Sequence, residues 1–438
     1  MNEQLKFYKG NEENLSEEVE TGAIYHCEDT GNTYLGDENG VARRFSSAAG
    51  RIDLTPGGGP GEVFNNYDNN IASGVYSHAE GTGTTASALA SHAEGYGDSK
   101  IGIVTASATA SHAEGYGTVA SGYASHAEGG STKAEGAYSH AEGSASKVIK
   151  DSSSPEGSEG AHAEGYTTWA QGVGAHSEGY LTGAIARGAH AEGRGIINSK
   201  VGPTTGAFGE WSHSEGSYTT ANGESAHAEG GCVSNQPGGT PITLPDGTLK
   251  NIYGSQADGR FSHAEGMSTY ASGEASHAEG YMTQATSNYA HAEGYETKAT
   301  GNYAHAEGYG SKAKGHASHA EGMSLAEGLR SHAEGGANAI GDYSHAGGQR
   351  AIASGDSSFA HGMQGPGPSN PRIIACGDGS CALGMAGEGV GSIVAAVGDG
   401  SHAEGYGSVA IGQGAHAEGL CSPTPHVLIT VTGKATDY

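Results

Sequence analysis

Imidazole and carboxylate recur two residues apart along most of this chain: the tetrapeptide His-(Ala/Ser)-Glu-Gly occurs eighteen times between His78 and His416. Groups so placed can share a proton, or can jointly reach a Zn²⁺-like ion. A preceding Ser, as at Ser111-His112, adds the ingredients of nucleophilic catalysis. Catalysis, however, needs one distinctive constellation in a cleft, and here the same residues return on every unit. No catalytic residue is therefore assigned, and no enzyme activity is expected.

The commonest step from one His to the next is fourteen residues, kept without interruption through His277, His291, His305 and His319. A fixed period of this length marks short units stacked one on the next. In Ser111-His-Ala-Glu-Gly115, Tyr116-Gly117, Thr118-Val-Ala-Ser-Gly122, Tyr123-Ala124 the unit reads as two five-residue strands and two tight turns. Alternation puts Ser111, Ala113 and Gly115 on one side and His112 and Glu114 on the other; Thr118, Ala120 and Gly122 likewise oppose Val119 and Ser121. Only the small set fits between two such close walls, so His and Glu point outward. Stacked coils then form two parallel sheets back to back, a flattened parallel β-roll.

Composition agrees with a thin core. The 438 residues include 78 Gly but six Phe and two Trp, too little bulk for thick globular interiors. Net charge is −28 with His neutral, which disfavours nucleic acid and anionic membrane surfaces. No apolar run approaches twenty residues, so no membrane insertion is expected, and MNEQLKFYKGNEENL lacks the order of a secretory signal. Cys27, Cys232, Cys376, Cys381 and Cys421 lack metal-ligand spacing and fit a reducing cytosol; Cys376 and Cys381 read as small buried hydrophobes or a pair.

The outer faces differ. The Val119 position becomes Thr85, Lys133, Trp169, Thr220, Tyr270, Gln284 and Lys298, as expected of a face in water, whereas the first strand almost always shows His and Glu. Such uniformity implies one constant environment, which a homo-oligomer axis supplies. A side-by-side homotrimer is expected, with His112, Glu114, His126, Glu128, His277, Glu279, His291, Glu293, His305 and Glu307 at its interface. There the columns form a hydrogen-bonded ladder that fixes register; a metal ion on the ladder is the alternative, and no cofactor is assigned. If Glu raises the His pKa, the resulting stabilisation is complete below about 6.5 and fades as pH climbs.

Tyr96, Tyr116, Tyr166, Tyr180, Tyr281, Tyr295, Tyr309 and Tyr406, each four residues beyond a His, form a stacked edge for packing or a carbohydrate platform. Extra residues around Asp98–Ile103, Lys147–Pro155, Ile196–Phe208 and Cys232–Gln256 are expected in the turn after the His/Glu strand, the longest as a projecting hairpin over Pro241–Ile252. Ligand contacts are sought at Trp169, Trp211, Tyr253, Arg260 and Tyr270. Beyond His332 the pattern loosens, with Phe359 and Cys381 in His positions; about twenty-one rungs would span on the order of 100 Å. The chain divides into an N-terminal segment 1–50 with a small β-hairpin, a linker 51–69 holding a Pro56–Pro60 hinge, the roll 70–420, and a tail 421–438 whose Val427–Val431 strand lacks an evident partner.

Ser408-Val-Ala-Ile-Gly412 and Ser380-Cys-Ala-Leu-Gly384 carry a resemblance over about residues 70 to 420: the roll resembles the YadA-like head of trimeric autotransporter adhesins. That resemblance implies a left-handed parallel β-roll, three chains side by side and an adhesive role. The anchoring barrel, stalk and export signal of that family are absent from the sequence, and His/Glu stand where Val/Ile are usual. The His-Ala-Glu-Gly form is similar to repeats of phage and prophage tail-fibre or appendage proteins, and Leu5–Lys9, Gly22–Tyr25 and Tyr34–Gly36 to their particle-attachment segments. A self-cleaving chaperone domain can follow such repeats, which would make Tyr438 a processed end.

The expectation is a receptor-binding tail fibre of a virion or tail-like particle. It would be assembled in the bacterial cytoplasm, act outside the cell, join a tail or baseplate protein through its N-terminus, and bind a bacterial surface glycan or protein receptor. A cell-surface trimeric adhesin or spacer is the alternative, and a polysaccharide-degrading tail enzyme the third reading.

Overall fold

The computed structural model describes residues 7–15, 19–46 except 22, 31, 37, 38 and 40, then 62–63, 70–150, 157–232 except 196, 199–201 and 204, and 240–243, 248–252, 254–364, 373–386, 393–420 and 429–431. Two compact units divide the chain at Tyr180/Leu181. Each contains the same coil, and no α-helix occurs among the described residues.

In the first unit the His strand of each coil pairs in parallel with the next in perfect register: His112 faces His126, Ala113 faces Ala127 and Glu114 faces Glu128. The second strand does the same, Val119 beside Lys133 and Ala120 beside Ala134. Ladder pairing of the second strand covers only two residues here, Val119–Ala120, against five, His112–Tyr116, in the first. The expected pair of equal strands is thus corrected. The difference lies in the turn that starts at Ser121 and takes Ala124 to φ 49°. The first sheet reaches back to Glu62–Val63, which pairs with His78–Ala79. Before the coils, Phe7–Gly10, Ile24–Cys27, Thr33–Gly36 and Ala42–Ser46 make a four-stranded sheet, so the expected hairpin is present with a strand on either side.

The second unit repeats this from Gly183–Ala184 and His190–Arg194 onward. His345, Phe359, Cys381 and His402 follow one another in register, as the sequence indicated. Ile429–Val431 is not alone: it pairs in parallel with Ser408–Ala410 and continues the second sheet.

Small residues fill the space between the sheets. Ala113, Ala120, Ala292 and Ala299 have no exposed surface, and Thr118 and Thr297 are fully buried beside them. The residue before each repeat His, Ser or Ala, is also internal, and at several coils a Ser hydroxyl donates to the carbonyl three residues back, as Ser125 to Gly122 at 2.8 Å and Ser276 to Gly273 at 2.7 Å. This local bond closes the turn that leads into the His strand. Both turns of a coil carry a left-handed residue, frequently not glycine, such as Tyr138 at φ 55° and Ser131 at φ 57°. Each such residue costs about 1–2 kcal/mol. In return its N–H keeps the intercoil ladder going around the corner, Tyr138 to the Tyr123 carbonyl at 2.7 Å and Ser131 to that of Tyr116 at 2.7 Å.

Glycine is obligatory where coils touch backbone to backbone. A Cβ on Gly294, at φ +110°, would lie 2.2 Å from the Gly308 carbonyl oxygen, whereas one on Gly310, at φ +66°, meets nothing within 4 Å. Gly294→Ala should therefore cost more than about 3 kcal/mol and Gly310→Ala about 1 kcal/mol. Urea midpoints check the order, and equal losses would contradict it.

Candidate functional site

Within each unit the outward face of the first strand carries a column of imidazoles beside a column of carboxylates. Parallel pairing at the strand spacing forces like onto like. Rings of His112 and His126 stack with centroids 4.7 Å apart and planes 4° apart; His277 and His291 lie at 4.8 Å, as do His291 and His305. Each His leans toward the Glu of its own strand: Nε2 to Oε2 is 3.6 Å at His112/Glu114, 3.7 Å at His126/Glu128, 4.0 Å at His277/Glu279 and His291/Glu293, and 3.6 Å at His305/Glu307. These separations exceed a hydrogen bond. Neighbouring rings shield Nε2 of His112, His126, His277, His291 and His305 from solvent, and none of the five has a hydrogen-bond partner among the described residues. The ten residues expected at an interface thus share one face in each unit, but the hydrogen-bonded ladder is not closed by one chain alone.

Burial is the largest influence on the His112 imidazole, where it acts with the neighbouring His92 and His126 to hold the pKa below its ordinary value despite Glu94 and Glu128. His277, His291 and His305 are lowered likewise, burial first and the preceding His next. This reverses the expected effect of Glu, because desolvation in the stack outweighs carboxylates held 3.6–4.0 Å away. A metal on the ladder has the atoms within reach, since those of His112, Glu114 and His126 lie within 4.8 Å of one another. Parallel rings nevertheless send their lone pairs side by side rather than to one point, so the regular stack offers an ion one imidazole per chain.

The tyrosine edge is present. Tyr281 and Tyr295 stack at 4.7 Å, and Tyr295 and Tyr309 at 4.9 Å; in the first unit Tyr166 and Tyr180 stack at 5.1 Å. Their faces cover one another, leaving ring edges and hydroxyls outward, which suits lateral packing better than face-on contact with a sugar.

The expected ligand residues do not form one cluster. Trp169, in the first unit, is half-buried with the Lys147 ammonium 5.6 Å from its ring. In the second unit Trp211 is 58% exposed in the turn before Ser212, while Arg260 lies on the same turn edge, paired with Glu224 at 3.0 Å and set over the Phe261 ring. Tyr253 lies outside the described residues, as do Cys421, Pro56–Pro60 and Tyr438.

Tyr270 is a correction: at 4% exposure it is buried, and Thr220 and Gln284 on the same sheet are buried too, where a face in water was expected. The Thr240–Thr243 and Leu249–Ile252 hairpin exists, but its Ile242 and Ile252 fold back onto Tyr270 instead of projecting. A polar lock completes the contact. Lys250 bonds Asp258 and, at 3.1 Å, the Tyr270 hydroxyl, which donates to Asp258 at 2.9 Å; Asn222 and Gln256 donate to the other Asp258 oxygen at 2.6 and 2.7 Å. Burial would raise the Asp258 pKa, yet Lys250, Asn222 and Gln256 bring it below the usual range. Sequence could have found this in the Lys250 and Asp258 that flank the insertion's return.

The insertions at Asp98–Ile103, Ile196–Phe208 and Cys232–Gln256 follow the His strand as expected, but the one near Lys147–Pro155 comes after the second strand, Lys147–Val148, in the opposite turn. Cys376 is exposed and Cys381 half-buried, and they are not joined, so neither expectation for that pair holds. No family model matches the chain, and none of the curated proteins does.

Two outcomes follow from this geometry. Because the folded-state pKa values of His112, His277, His291 and His305 are depressed, the unfolded chain binds protons first at these sites; their contribution to stability is complete above about 6.5 and falls as pH drops below it. Glu142, raised by burial and by Glu164 and Glu128, works in the opposite direction at one coil. Denaturant midpoints at pH 8, 6.5 and 5 should decline in that order, and a rise on acidification would contradict the assignment. Asp258→Ala should leave Lys250 unpaired and free the hairpin by about 2 kcal/mol, speeding limited proteolysis there roughly 30-fold with the coils intact.

Proposed function

We propose that the chain is a trimeric tail-fibre or receptor-binding protein of a phage or tail-like injection particle. Its N-terminal segment joins the particle, and its roll and loops meet a bacterial surface, where a glycan is the receptor class. The observation that carries the reading is the shielded imidazole nitrogens beside Glu at His112, His126, His277, His291 and His305, which have no hydrogen-bond partner among the described residues. An unsatisfied buried polar atom costs about 1–3 kcal/mol, and repeating that cost at these coils favours a face closed by another copy. Side-by-side copies would give the column the same neighbours at every level, and the uniform His/Glu sequence fits that constancy. Loops that leave from the turns keep the His/Glu sheet free to meet another copy while offering varied side chains such as Trp211 to a receptor. The fibre would be assembled in the cytoplasm and act outside the cell.

Light scattering on the purified chain tests the assembly step. The expected mass is three times the 43.8 kDa of one chain. Replacing Glu279, Glu293 and Glu307 by Lys should return it to a single chain with an unchanged far-ultraviolet spectrum. A monomeric wild type removes the support for a fibre. Sedimentation of labelled trimer with intact bacteria, competed by isolated envelope polysaccharide, tests the receptor class; loss to protease-treated cells but not to glycan competition would point to a protein receptor.

A further inference from the structure

We propose that Glu334, His345 and His361 form a discrete binding site for one divalent transition-metal ion of the zinc class. It draws on the carboxylate of one repeated pair, His332/Glu334, but on imidazoles of the two irregular coils that follow, and it goes beyond the fibre reading. The repeat breaks here in two compensating places. His345-Ala-Gly347 has glycine where Glu stands in most coils, and Phe359-Ala-His361 has imidazole at that position in the following coil. Register places Glu334, Gly347 and His361 one above another in the carboxylate column. Gly347 therefore leaves a gap in that column, and its two neighbours lean into it. A Cβ at Gly347 would lie 2.3 Å from His361 Cδ2 and 2.8 Å from Glu334 Oε1.

The outcome is convergence where the regular coils have parallel alignment. One Glu334 oxygen, Oε1, is 3.6 Å from His345 Nε2 and 3.8 Å from His361 Nε2. In the regular coils named above the approach within 4.0 Å is to the imidazole of the same strand, with the next coil's ring farther off though within 4.8 Å, and the rings stack face to face. Here the His345 ring is turned 65° from that of His332 and 30° from Phe359, so it has left the stack. Two ligand atoms held roughly 2.0–2.2 Å from one ion stand roughly 3.0–3.4 Å apart, depending on geometry. The observed separations need to close by only a few tenths of an ångström. His361 is half-exposed at its side chain, which gives an ion a way in. Burial, with His332 and His361 nearby, also favours the neutral imidazole at His345, the form that ligates.

Two imidazoles and one carboxylate select zinc, cobalt, nickel or ferrous ions over calcium or magnesium, which prefer all-oxygen shells. Three protein ligands leave room for water, or for groups of a neighbouring copy if this face closes in a trimer.

The test is titration of the full-length protein with Co²⁺, followed by visible absorption and by equilibrium dialysis. One class of ion, at most one per chain, should bind at least tenfold more tightly than the rest. His361→Leu, which copies Leu383 at the equivalent place in the next coil, and Glu334→Gln should each weaken that class at least tenfold. Glu293→Gln, in a regular coil, should leave it unchanged. X-ray absorption on zinc-loaded wild type, which needs no variant to fold, should count two imidazoles on the ion. The proposal is overturned if no ion stands apart from the rest, if the tight class survives His361→Leu, if Glu293→Gln weakens it equally, or if fewer than two imidazoles are bound.

Discussion

Backbone-to-backbone stacking of identical coils at the strand spacing is the constraint on which the rest of the structure depends. It brings Gly294 so close to Gly308 that no side chain can enter, and it leaves room between the two sheets only for groups the size of Ala292 and Ala299. Packing that thin gives little burial per residue, so cohesion is spread along the ladders, and each coil relies on its neighbours, as in other solenoids. Insertions are tolerated because they leave from the turns without altering this contact. The hairpin before Gln256 shows the limit of that freedom, since it returns to cover Tyr270 and is held there by Lys250 and Asp258.

The same spacing dictates the chemistry of the outer face. Imidazoles at 4.8 Å shield one another from water, and a stack of bases that lose solvent holds its protons less tightly even with carboxylates alongside. The column is therefore an apolar-leaning stripe edged with acid rather than a row of ion pairs. A face of that kind suits a matching surface of another copy. Where Gly347 interrupts the regularity, the neighbouring groups collapse toward one point, and a periodic surface acquires a single distinguishable place.

Much of this was legible in the residues. The fourteen-residue step, the alternation of Ala113 against His112 and Glu114, and the tyrosine edge each follow from strand geometry, and the structure has all three. The failures share a physical origin in contacts that periodicity cannot express. Tyr270 occupies a position that faces water in a bare roll, but the hairpin from a distant part of the sequence covers it. The direction of the His pKa depended on whether desolvation or Glu dominated, and a two-residue spacing gives no distance finer than the 3.6–4.0 Å that decided it. Left-handed Tyr138 and Ser131 were hidden because turns of this tightness ordinarily advertise themselves by glycine. The Ile429–Val431 strand looked unpaired because its partner, Ser408–Ala410, does not share its apolar pattern.

Register is the central claim, and removing part of a coil tests it most directly. Excising Ala278–His291, one full fourteen-residue period, joins His277 to Ala292 and keeps every column in phase. Excising only Ala278–Gln284 joins His277 to Ala285 and leaves half a coil, so every later His strand falls beside a second strand and the like-on-like columns are lost. Far-ultraviolet dichroism and thermal melting of the two proteins should show a folded chain one rung shorter in the first case and a grossly destabilised one in the second. Equal behaviour of the two deletions, or loss of fold only in the first, would contradict the account.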